Sequence, residues 1–281
     1  MKSYCIKTDN EEIIEYLLNK ISKLDIPNIY YCNKSFKIYE NVILHYKDNN
    51  IEQFNNLVAQ LITEVIIKFY QDKILKRIIN VNYFYFDEFE RKIILENCDE
   101  FIKQEEEEIT ETVFVGVEEY ILEHKNIVIE GVANFRINEY IKILDNIVDM
   151  AVNKYIIEKE YREFINLLKV YVDSTSSKTD MLHLIYTNGE SILLDRDKNI
   201  IQVDYNLSNA KYLSDITFSS NDIALNTLLS LLPKKIEVHL INGEDEFINT
   251  LKLIFENRIK ICTSCNICKT YRALNNIKVT R

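Results

Sequence analysis

Glu130-Gly-Val-Ala-Asn-Phe-Arg-Ile-Asn-Glu-Tyr140 opens a stretch that continues to Phe164-Ile-Asn-Leu-Leu-Lys-Val-Tyr-Val172. Apolar side chains recur along it at Ile137, Tyr140, Ile141, Leu144, Ile147, Val148, Ala151 and Tyr155, then at Tyr161, Phe164, Ile165, Leu168 and Tyr171. Steps of three and four residues put these side chains on one face of a helix, and no Pro or Gly interrupts the pattern after Gly131. A helix so long, with so broad an apolar face, needs packing partners along most of its length. The spacing predicts the spine of a mostly helical domain.

The rest of the N-terminal part is consistent with such a domain. A short strand over residues 3–7 precedes a helix, with Asp9 as its N-cap and Glu12 completing a capping box. Asp25-Ile-Pro27 stops that helix, and residues 29–46 read as two or three antiparallel strands. Further helices are expected over 50–79, after Asp87 with Glu90 in its capping box, and over 110–124. Asn126–Ile129 makes an extended link into the spine. The run Glu105–Glu108 reads as a solvated helix end, because consecutive carboxylates on a helix cannot converge on one cation.

Asp173-Ser-Thr-Ser-Ser-Lys-Thr-Asp180 lacks apolar residues and marks a domain boundary. Beyond it, Met181–Tyr186 and Glu190–Leu194 flank Asn188-Gly189, the pair favoured in a tight type I′ hairpin turn. A third strand is expected near Ile200–Val203, then a helix capped by Ser220 or Asn221 and ended by Pro233. Lys235–Ile241, Asp245–Asn257 and Arg258–Cys262 form a strand–helix–strand unit, whose two strands should pair in parallel. The fold class is therefore α+β. A helix-rich domain over 1–173, with a small antiparallel sheet and the spine, precedes a smaller α/β module over 180–281.

Composition narrows the function. With 47% hydrophobic and 28% charged residues among 281, the chain has the make-up of a folded globular protein. Only four Gly and two Pro leave no glycine-rich loop to cradle phosphate. A net charge of -10 disfavours broad nucleic-acid binding, although Lys269, Arg272, Lys278 and Arg281 make a basic C-terminal tail. No signal peptide or apolar span of membrane length is read, so a cytoplasmic protein with reduced thiols is expected.

Three of the six cysteines, Cys262, Cys265 and Cys268, fall in two overlapping Cys-x-x-Cys units that begin where the second parallel strand ends. Two residues between thiolates let both sulfurs face one tetrahedral ion. The same spacing opens a bacterial four-iron cluster run, but the fourth cysteine position is Arg272, so zinc is placed ahead of an iron–sulfur cluster. His239 is the first choice as fourth donor, since its strand should lie beside the one that ends at Cys262. Cys5, Cys32 and Cys98 remain alternatives. A reactive dithiol, its thiolate favoured by Lys269 or Arg272, is the redox reading of the same motif. His45, His124 and His183 read as structural histidines, and Asp195 and Asp197 as turn residues.

Glu130-Gly131, Phe135-Arg136 and Tyr140, the segments Val148-Asp149-Met-Ala-Val152 and Glu160-Tyr161 with Phe164-Ile165, and the terminal cysteine motif resemble the YtxC-like family. The resemblance implies a spore-forming host and a role connected with sporulation, met through a protein partner in sporulating cells. It implies no catalytic residues.

Overall fold

Two helices, with Ile137 at the break between them, occupy the stretch read as a single spine. The computed structural model describes residues 2–24, 27–201 and 219–278. Helix α5, Ile129–Phe135, ends where the Arg136 amide bonds back to Val132, and α6 runs over Asn138–Ser174. Ile137 is buried at the break and presses on α4, Glu106–Glu123, at Gly116. A Cβ on Gly116 would lie 2.9 Å from Ile137 Cγ2, so only glycine fits that approach without displacement.

The chain divides into two compact units, one ending at Glu158 and the other beginning at Lys159, so the division falls within α6. In the first unit, β1 (Lys2–Thr8), β2 (Ile29–Ser35), β3 (Glu40–Tyr46) and β4 (Asn126–Val128) form a sheet in the order β2-β3-β1-β4. The pairs are antiparallel except β4, which lies parallel to β1. Helices α1 (Glu11–Ser22), α2 (Ile51–Asn82) and α3 (Glu88–Gln104) complete the unit. The cap of α1 is Asn10, one residue later than expected, because its side-chain oxygen accepts the Glu12 amide at 2.9 Å. The Asp87–Glu90 capping box forms at the start of α3. Asp25, at the expected stop, lies outside the described residues.

Tyr140, Leu144, Ile147, Val148 and Ala151 of α6 are wholly buried in the first unit's core, packed with Ile62, Val65 and Ile66 of α2. Tyr140 keeps its hydroxyl bonded to Gln71 at 3.2 Å, as a buried phenol requires.

The second unit is built on a sheet of order β6-β5-β7-β8. Its strands are β5 (Thr179–Thr187), β6 (Glu190–Leu194), β7 (Pro233–Leu240) and β8 (Ile259–Cys262). Asn188 and Gly189 take φ of 51° and 79°, as a type I′ turn demands, and β6 pairs antiparallel with β5. Strands β5, β7 and β8 are mutually parallel, with α8 (Glu246–Phe255) in the crossover between β7 and β8.

Side chains alternate between the faces of this sheet. Leu182, Leu184, Tyr186, Ile236, Val238 and Leu240 face a core with Ile165 and Val172 of α6, Leu228 of α7 (Ser220–Leu231), and Leu251 and Phe255 of α8. His183, Ile185, Glu237, His239 and Cys262 stand at the alternate positions, toward a smaller cluster of Ile185, Leu194, Ile241 and Cys268.

The cap of α7 is Ser219, whose hydroxyl and Asp222 form a capping box. Ser220 and Asn221, the expected caps, instead bond Ser191 and Gly189 of the hairpin. Ile200 bridges to Leu194 and the Ile201 amide bonds the Leu193 carbonyl at 3.0 Å, while residues 202 and 203 of the expected third strand lie outside the described residues. The face expected on the second half of α6 is displaced. Ile165 and Val172 are buried there, whereas Phe164 and Tyr171 are exposed, as are Leu167 and Val170. Among the described residues, no helix is long and apolar enough to cross a membrane.

This packing predicts a contrast within one helix. Leu144→Ala should lower the stability of the first unit by about 2–5 kcal/mol in urea denaturation, because it leaves a cavity. Leu167→Ala, on the exposed face, should change stability by less than about 0.5 kcal/mol.

Candidate metal centre

Parallel pairing of β7 with β8 sets His239 directly opposite Cys262. Both side chains stand on the same face of the sheet, at the carboxyl ends of their strands, where open α/β sheets bind ligands. After Cys262 the chain turns and enters α9, Asn266–Lys278, a helix not anticipated in the tail. The Cys265 carbonyl accepts the Lys269 amide at 3.0 Å, so Cys265 is the N-cap of α9 and Cys268 lies in its first turn. Apolar Ile267, Cys268 and Tyr271 bring this helix onto the cluster over the sheet. Arg272 donates to the Ile241 and Leu240 carbonyls at 3.2 and 3.3 Å, holding α9 against the end of β7.

The result is a convergence of four donors. One ligand atom from each of His239, Cys262, Cys265 and Cys268 lies within 4.8 Å of the other three. Cys268 Sγ is 3.6 Å from Cys265 Sγ and 3.9 Å from Cys262 Sγ. His239 Nδ1 is 3.3 Å from Cys265 Sγ and 3.6 Å from Cys268 Sγ. Bond lengths of about 2.3 Å to sulfur and about 2.0–2.1 Å to nitrogen give a tetrahedron with edges of about 3.8 Å between sulfurs and about 3.6 Å from sulfur to nitrogen. The cluster has the dimensions and donor chemistry to hold one tetrahedral ion.

Its electrostatics suit coordination. Burial pushes the Cys265 thiol up, but N–H groups of Cys268 and Ile267 and the neighbouring thiols outweigh it, and the net shift is down. This is a cap in which sulfur takes the oxygen's place, and the helix N-terminus favours the thiolate. Cys268 is wholly buried, and its thiol is pushed up to about 12 by burial and by its bonds to Cys265 and Cys262. Without a cation it therefore stays a thiol at neutral pH. His239 is lowered by burial and then by His183, which keeps the imidazole neutral with a lone pair to offer. The shift at Cys265 comes from the helix cap and the neighbouring thiols, without Lys269 or Arg272 among its main causes.

Cys5, Cys32 and Cys98 belong to the first unit, on β1, β2 and α3, and enter no such grouping among the described residues. His45 bonds Ser3 at 2.7 Å, and His124 stacks on Tyr120 at the end of α4. His183 is different. Its Nδ1 is 3.0 Å from His239 Nε2 and 3.4 Å from a Glu237 oxygen, a partnership missed in sequence. The register that pairs Ile185 with His239 and His183 with Glu237 creates it, and the only available signal was the period of two along β5 and β7. Asp195 accepts the Asn199 amide in a turn, as expected.

A family model described as the YtxC-like family matches residues 56–260. The chain belongs to the YtxC-like family. The match takes in His183, Glu237 and His239 and stops short of Cys262. Neither a comparison with curated proteins nor one with solved structures returned a match.

The contrast between two cysteines three residues apart is testable. In metal-free full-length protein near pH 8, iodoacetamide should modify Cys265 well before the buried Cys268. Peptide mass spectrometry over a time course would read the order, and equal rates would contradict the burial of Cys268.

Proposed function

We propose that this YtxC-like chain is a non-enzymatic binding protein whose second unit is stabilised by a zinc ion on Cys262, Cys265, Cys268 and His239. The observation that supports this reading best is the donor spacing: four of the six separations, at 3.3–3.9 Å, lie close to the edges of a single-ion tetrahedron, and the other two are within 4.8 Å. Four protein donors fill the coordination of zinc and leave no open position for water or substrate, as in structural sites. Sulfurs this close fit one ion better than a four-iron cluster, in which each thiolate binds a different iron. Family membership supports a place in sporulating, endospore-forming cells, and the reduced thiols suit a cytoplasmic setting.

The reading takes the second unit, which holds the expected module 180–281 together with the last turns of α6, as the metal-bearing part and the first unit as the helix-rich domain, with a protein as partner. Exposed Val81, Phe84, Tyr85 and Phe89, around the connection from α2 to α3, are the kind of apolar surface that such a partner covers. A nucleic-acid role for the basic tail gains little, because the Arg272 guanidinium is spent on two backbone carbonyls.

Metal analysis of protein purified without oxygen is the test. About one zinc per chain is expected, with no visible colour, and Cys265→Ser should lose it. Removing the ion with a chelator should lower the melting temperature of the wild type and leave that of Cys265→Ser unchanged. Iron with sulfide and visible absorption, or folded protein that binds no metal, would overturn the reading.

A further inference from the structure

His239 reaches in two directions. Its Nδ1 faces the sulfurs of Cys265 and Cys268, and its Nε2 stands 3.0 Å from Nδ1 of His183. Both histidines are buried, at 1% and 5% exposure, with rings 19° from parallel and 5.2 Å apart. A hydrogen bond between two ring nitrogens needs one proton, and a neutral imidazole carries only one. An ion in the cysteine cluster takes the lone pair on His239 Nδ1. The His239 proton must then sit on Nε2 and be donated to His183 Nδ1, which leaves His183 with its own proton on Nε2.

We propose that His183 is a positioning residue for the metal centre, fixing the tautomer and ring plane of His239 so that Nδ1 points at the ion. The proposal rests on the metal reading above. Glu237 flanks the pair: it is the register partner of His183, and one carboxylate oxygen lies 3.4 Å from His183 Nδ1, beside the shared proton and without a hydrogen bond to that accepting nitrogen. There it adds negative charge beside the donated proton and makes His239 a stronger donor to the ion. His183, Glu237 and His239 are themselves close enough to hold a cation. A neutral His239 that spends Nδ1 on the first ion has no second lone pair for another, so a single ion supported by His183 is the arrangement that this geometry carries.

Zinc affinity of the full chain, measured by competition with a chromophoric chelator, separates the possibilities. His183→Phe should weaken zinc binding about 10- to 100-fold, the usual effect of losing the partner of a ligating histidine. His183→Gln, whose side-chain oxygen can still accept from His239, should recover most of that loss. A merely structural role predicts no such rescue. Long-range proton–nitrogen NMR of the zinc-loaded wild type supplies a readout that needs no variant. It should show His239 coordinated through Nδ1 with its proton on Nε2. Coordination through Nε2, an affinity unchanged in His183→Phe, or two zinc ions per wild-type chain with one lost in His183→Phe would each overturn the proposal. A wild type that binds no zinc would instead overturn the metal reading beneath it.

Discussion

The register between β7 and β8 is the constraint on which the candidate centre depends. His239 and Cys262 come from elements separated by a whole helix, and only parallel pairing sets them side by side. Strands in a sheet lie about 4.8 Å apart, so paired side chains on one face are within reach of a common ion. A slip of one residue would turn His239 toward the core of Val238 and Leu251 and leave the cysteines without a nitrogen donor. The same register lines up His183 with Glu237 on the neighbouring strand. The pairings of β5 with β7 and of β7 with β8 thus bring together both the four candidate donors and the His183–Glu237 pair beside them.

What the sheet positions, α9 encloses. Its first turn supplies Cys268 and the amides that bond Cys265, and its apolar side covers the cluster. Arg272 then ties the helix to the carbonyls at the end of the histidine-bearing strand. Three thiols crowded in a partly buried pocket would repel one another as thiolates. The raised Cys268 and the lowered Cys265 show how the metal-free pocket meets that conflict, with one sulfur kept neutral and one stabilised by the helix cap.

Local patterns made much of this legible in the sequence. The alternation from Lys235 to Ile241, the helix after Asp245 and the strand ending at Cys262 are contiguous, so their parallel unit and the choice of His239 followed from short-range rules. The turn at Asn188-Gly189 and the box at Asp87 were equally local. Non-local features were not. His183 meets His239 from 56 residues away through a strand pairing that no single window contains. Helix α9 does carry a local signal, with Ile267, Cys268, Tyr271 and Leu274 spaced along one helical face, but the basic residues among them read as a solvated tail. The caps Asn10 and Ser219 each lie one residue from an expected position, where two adjacent side chains could both serve, and at α7 the hairpin takes up the side chains of Ser220 and Asn221. On α6, apolar residues are so frequent that periodicity alone could not say which stripe is covered.

The order of the donors along the chain has a consequence for assembly. Three sulfurs lie within seven residues, and the nitrogen donor comes 26 residues before Cys265. A newly made chain could therefore grip an ion with its clustered thiolates at small entropic expense, before any sheet exists. The imidazole can join only after the crossover through α8 closes and the two strands find their register. The ion would then act as a latch that shuts behind a slow, long-range step, converting the completed crossover into a closed loop that resists reopening.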